Sequence, residues 1–145
     1  IMYAGFIIAF ILWFFTSLLN EENAGSLLSG YNTMSDERKK NVDFKGIVKI
    51  HKIVFYSISA YLVIISLINL FVDNLKFMFI AMILGLSWGF IPLFFLGSNH
   101  DKNVYKPWEI WFQRFMVAFL FFGGLIVSYF IFTTPLNELT SNNLW

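Results

Sequence analysis

Cysteine is absent from the 145 residues. That removes disulfides, thiolate metal sites and cysteine nucleophiles, and with them any redox clue to compartment. Charge is scarce as well: Asp, Glu, Lys and Arg make up 13% of the chain, against 58% hydrophobic and 21% aromatic residues. A soluble domain carries about 25% charged residues, so this composition excludes an ordinary soluble fold. Proline occurs only three times, at Pro92, Pro107 and Pro135. Four stretches, 1–20, 53–72, 77–100 and 115–137, contain no Asp, Glu, Lys or Arg at all.

Each of those stretches is long enough to cross a bilayer as a helix, which takes about 20 apolar residues. A mean hydropathy of +0.68 agrees. The expected fold is all-α: an integral membrane four-helix bundle with spans near 1–20, 53–72, 77–97 and 115–134, and a short amphipathic cytoplasmic helix. Four spans and two connections use the whole chain, so residues 1–145 form one membrane domain without room for a separate extramembrane one. The first stretch lacks the basic flank and small-residue cleavage site of a signal peptide and is expected to be retained, with Met2 a possible initiator after Ile1.

The ten Lys and Arg residues are unevenly distributed. Arg38, Lys39, Lys40, Lys45, Lys49 and Lys52 lie in the connection 21–52, and Lys102, Lys106 and Arg114 belong to the connection 98–114. The turn at Asp73-Asn74-Leu75-Lys76 has one. Cytoplasmic loops hold the excess of cations in short-looped membrane proteins, so both long connections are expected inside and both termini outside. Nineteen Phe and a strong preference for Lys over Arg point to an AT-rich bacterial genome, and hence to a bacterial inner membrane.

Local signals place further elements. Ser35 before Asp36 and Glu37 is a helix start, with a capping hydroxyl and acids at the positive end of the dipole, and predicts a short helix over 36–41. Asp43 is a second cap, after which Phe44, Ile47, Val48 and Phe55 recur at helical spacing with Lys45, Lys49 and Lys52 on other faces. That pattern predicts an interfacial helix running into the second span. Pro107 suits a first helical turn, and Trp108, Trp111 and Phe112 suit an interfacial aromatic belt. Pro92 lies within the third span, where it removes a backbone hydrogen bond and kinks the helix.

The spans contain no ionisable side chain, whereas proton relays, ion pumps and voltage sensors need charge at membrane depth. Their polar residues, Tyr56, Ser57, Ser59, Tyr61, Ser66, Asn69, Ser87, Ser128 and Tyr129, are expected to make interhelical hydrogen bonds. Gly85 and Gly89 form a GxxxG pair, and Gly123 and Gly124 are adjacent in the fourth span. Small residues allow close helix approach, so all four are candidates for packing faces, within the monomer or in a dimer. His51, His100 and Asp101 sit at the cytoplasmic border, but their spacing matches no zinc motif, and no metal or other cofactor is expected. With no phosphate loop, no Ser-His-Asp set and no carboxylate pair, no enzyme activity is expected. Cations interleaved with acids do not make a nucleic-acid surface.

The connection after the first span reads Ser29-Gly30-Tyr31-Asn32-Thr33-Met34-Ser35. It resembles the GYNTMS signature, followed by a charged helix, of a family of small bacterial multi-pass membrane proteins of unknown function. That resemblance covers roughly residues 1–75. The same loop is similar to the Gly-Tyr-Arg-Thr loop of the immunity proteins against the sporulation-delay toxin, with Asn32 standing where that loop has arginine. Physically, Gly30 permits a tight turn, Tyr31 suits the interface, and Asn32, Thr33 and Ser35 can satisfy backbone groups before the next helix. Together with Arg38, Lys39 and Lys40 the segment is a candidate turn or docking site.

The function expected from these features is that of a non-catalytic inner-membrane protein acting through protein contacts. It would serve as an accessory subunit of a membrane complex or an immunity-like protector, with a small transporter or channel component as the alternative. The expected partners are the lipid bilayer and a membrane protein or a second copy of the chain.

Overall fold

The computed structural model describes residues 3–27, 31 and 33–135, and among them it is helical without a strand. The helices are α1 (Ala4–Leu18), α2 (Glu21–Leu27), α3 (Asp36–Lys39), α4 (Phe44–Val72), α5 (Leu75–Gly89), α6 (Ile91–Ser98) and α7 (Pro107–Thr133). Three apolar passages have spanning length: α4 with 29 residues, α5 and α6 together with 24, and α7 with 27. At 1.5 Å per residue α4 is about 44 Å long, more than the roughly 30 Å of a hydrocarbon core. Its first turns, with Lys45, Lys49 and Lys52, therefore project toward the headgroups.

Among the described residues helix α1 runs for 15 residues, about 22 Å, from Ala4 to Leu18. The first apolar stretch thus stops being helical two residues before its expected bound. The reason is a pair of asparagines. Leu19 turns extended, the Asn20 carboxamide accepts from the Glu22 and Asn23 N–H groups at 3.0 and 2.9 Å, and Asn23 Oδ1 accepts from Asn20 N–H at 2.8 Å. Asn23 Nδ2 also donates to the Leu18 carbonyl at 2.7 Å. These side chains cap one helix and open the next, close to where the apolar stretch itself gives way to Asn20, Glu21 and Glu22.

Helix α4 is the centre of the structure. Helix α1 runs antiparallel along it, with Gly5 beside Leu62 and Ser66 at one end and Leu19 packed with Val48 at the other. The main core comprises Ala9 of α1, Val54, Ile58 and Leu62 of α4, and Met78 and Met82 of α5. Leu62 and Met78 are completely buried. On the far side of α5, helix α7 packs through Gly124 against Ser87 and through Phe121 against Trp88. The principal contacts thus run from α1 to α4, from α4 to α5 and α6, and from these to α7.

The third passage is interrupted. Helix α5 ends at Gly89, Phe90 forms the joint, and Pro92 occupies the first turn of α6, where a missing N–H does no harm. Other local signals appear as helix caps: Ser35 accepts from Arg38 N–H at 3.4 Å, Asp43 from Gly46 N–H at 3.0 Å, and Asn74 from Phe77 N–H at 3.0 Å. The helix predicted over 36–41 spans Asp36–Lys39, and the interfacial helix after Asp43 is continuous with the second span.

Candidate functional site: a polar clasp and an apolar groove

The antiparallel helix order brings the segments 38–43 and 100–105 to one end of the molecule, and their side chains bind each other. Asp43 N–H donates to the His100 carbonyl at 2.8 Å and Lys102 N–H to the Asn41 carbonyl at 3.1 Å, which fixes the two backbones edge to edge. Asn103 then bridges them: its Nδ2 donates to the Arg38 carbonyl at 3.0 Å and to Asp101 Oδ1 at 2.8 Å, while its Oδ1 accepts from Asn41 at 3.1 Å.

Charge closes this clasp. Arg38 meets Glu109 with a hydrogen bond to each carboxylate oxygen, at 3.1 and 3.4 Å, and its guanidinium lies 5.4 Å from the centre of the Tyr105 ring. Glu109 also accepts from Lys106 N–H at 2.6 Å, capping α7, so one carboxylate ties the first connection to the start of the last helix. The Glu109 bonds hold the Arg38 guanidinium still further above its ordinary range. Tyr105 donates a hydrogen bond to Asp101; burial, followed by that bond, pushes its hydroxyl up to about 12. Asp43 accepts from Gly46 N–H and binds His100 Nδ1 at 2.7 Å, and both interactions, the backbone one first, lower its pKa. Gly46 is required at this point, since an added Cβ would lie 2.1 Å from His100 Nδ1 and 2.3 Å from Asp43 Oδ2.

Of the loop motif, Gly30 and Asn32 lie outside the described residues. Tyr31 stacks on Phe44 with ring centres 4.2 Å apart, and Lys39 Nζ lies 5.7 Å from the Tyr31 ring centre. Tyr31 therefore covers the start of α4, where Phe44 packs on Leu19, Ala24 and Val48. Met34 N–H donates to the Tyr31 carbonyl at 3.2 Å, Thr33 is exposed, and Ser35 is the cap described above. Arg38 enters the clasp, Lys39 pairs with exposed Asp36 at 3.8 Å, and Lys40 is exposed. His51 binds the Ile47 carbonyl at 2.9 Å and His100 binds Asp43, so the two histidines have separate partners.

Within the apolar passages, the glycines divide. An added Cβ at Gly85 would lie 2.1 Å from the Tyr61 ring, at Gly89 2.7 Å from Ile58, and at Gly124 2.2 Å from Ser87 Oγ. Gly123 meets no such atom within 4 Å, so within the monomer the packing expected of the Gly123-Gly124 pair falls on Gly124 alone. The expected interhelical hydrogen bonds come from other groups than the serines. Tyr61 donates to the Ala81 carbonyl at 3.0 Å and Trp88 Nε1 to the Phe121 carbonyl at 3.2 Å, while Ser57, Ser66 and Ser87 bond the preceding turn of their own helices.

Between α4 and the α5–α6 passage runs an apolar groove of about 580 Å³, walled by Ile53, Ile58 and Tyr61 on one side and by Gly85, Trp88 and Pro92 on the other. The GxxxG pair and the break before Pro92 shape its floor. None of its lining side chains is charged, and apart from Ser57 and Tyr61 they offer an incoming group no polar side chain but the Trp88 indole.

The chain belongs to the family described as a domain of unknown function, DUF3784, whose model matches residues 6–100. That match covers most of α1, all of α2 to α6 and the first-connection half of the clasp. No curated protein and no solved structure matches the chain.

Proposed function

We propose that this membrane protein is non-catalytic and acts through protein contacts in a bacterial inner membrane, as an accessory subunit or an immunity-like protector. The observation that carries this reading is the apolar groove between α4 and the α5–α6 passage. It is uncharged and lined mostly by apolar side chains, a surface that a single apolar helix of another membrane protein fits. The clasp has a supporting role: its polar groups are engaged with one another and hold the helix ends in register. In the proposed orientation the clasp and nine of the ten cations are cytoplasmic, and both termini are outside.

The experiment is purification from native membranes in mild detergent, comparing the parent with Ser57→Phe, which fills the groove from the α4 side. One stoichiometric membrane-protein partner is expected with the parent and none with the filled variant. Equal recovery of that partner with both proteins would contradict the reading.

A further inference from the structure

A second cavity, of about 320 Å³, lies between the end of α6 and the first turns of α7. Phe94, Phe95, Ile110 and Val117 make its apolar wall, and Ser98 and Arg114 belong to its polar rim. Register is set by Gln113, whose Nε2 donates to the Phe94 carbonyl at 3.1 Å. Ser98 Oγ donates to the Phe95 carbonyl at 2.7 Å.

Arg114 is the unusual group. It lies seven residues beyond Pro107, about 10 Å along the helix toward the membrane interior. Among the described residues the acids that form ion pairs take other cations: Glu109 holds Arg38, Asp36 holds Lys39, Glu21 holds Lys45 and Asp43 holds His100. Arg114 is exposed on the rim of the cavity, and a guanidinium fork matches the oxygens of a headgroup phosphate. The long side chain can rise along α7 to meet that phosphate at headgroup level. Beside it, exposed Phe95 and Ile110 and half-buried Val117 offer a surface for an acyl chain.

We propose that this cavity binds one anionic phospholipid, its phosphate on Arg114 and an acyl chain along Phe95, Ile110 and Val117. A zwitterionic lipid is disfavoured because the cavity supplies no acid for its cationic headgroup, the nearby Glu109 carboxylate being held by Arg38. This site is separate from the groove of the proposed function and stands or falls independently of it.

Purified protein is exchanged into detergent micelles containing phosphatidylglycerol and phosphatidylcholine in equal amounts, and retained lipid is read by native mass spectrometry. The parent is expected to retain one phosphatidylglycerol per chain, which inorganic phosphate does not displace. Arg114→Gln should weaken retention at least about tenfold, whereas Lys52→Gln, which removes the same charge elsewhere, should leave it unchanged. Val117→Trp, which fills the cavity and keeps the arginine, should also abolish it and decides the matter if Arg114→Gln misfolds. Equal retention of the two lipids by the parent, displacement by phosphate, or undiminished phosphatidylglycerol on folded Arg114→Gln or Val117→Trp would overturn the proposal.

Discussion

Arg38 and Glu109, 71 residues apart in sequence, are joined by a two-point ion pair that fastens the first polar connection to the last helix. The side chains retain 34% and 19% of their exposure, so the pair lies at the surface and its value is positional: it sets where α7 starts. Arg38→Glu and Glu109→Arg should each lower the melting temperature in detergent. Combining them should restore most of the loss. A double variant no better than the single ones would show that the pair does not couple the two segments.

The clasp also predicts how stability varies with pH. Tyr105 has its pKa raised from 10.0 to about 12, so the folded state favours the neutral phenol. Its contribution is complete below pH 10 and is lost as pH rises from about 10 to about 12. Asp43 behaves oppositely: its pKa lies below the ordinary 3.8, so its contribution holds above that value and is lost as pH falls further. Melting curves across the alkaline range should accordingly be flatter for Tyr105→Phe than for the parent, and those across the acid range flatter for Asp43→Asn.

Glycine substitutions separate packed from exposed positions. Gly85→Leu and Gly89→Leu force Tyr61 and Ile58 aside and should destabilise the protein by about 1–3 kcal/mol each. Gly123→Leu faces open space and should leave the melting temperature unchanged. Thermal unfolding followed by circular dichroism in one detergent reads all three.

Much of the fold is legible in residue order because its signals are local. Ser35, Asp43 and Asn74 cap helices by bonds spanning three residues, and Pro107 opens α7 at the position its ring favours. The end of α1 was legible only to within two residues, since hydropathy continues through Leu19 while the mutual Asn20–Asn23 bonds set the stop after Leu18. The clasp was not legible either: Arg38, Asn41, Asp101, Asn103 and Glu109 have no periodic relation, and only the antiparallel order of α4 to α7 brings them together. Gly123 and Gly124 look alike in sequence, and the rotation of α7 distinguishes them. Arg114 is visible in sequence as a charge, but the cavity it borders emerges only once α6 is laid beside α7.

The central claim is a multi-pass chain whose two polar connections meet on one side of the membrane, opposite the Asp73–Asn74 turn. With no native cysteine, single thiols can be placed at Glu37 and Val104 on the clasp side and at Asn74 on the other, all of them exposed positions. Intact spheroplasts are treated with a membrane-impermeant thiol reagent before and after permeabilisation. The account predicts labelling of Asn74→Cys alone in intact cells, with Glu37→Cys and Val104→Cys labelled together once the membrane is opened. Labelling of either clasp position in intact cells would contradict it.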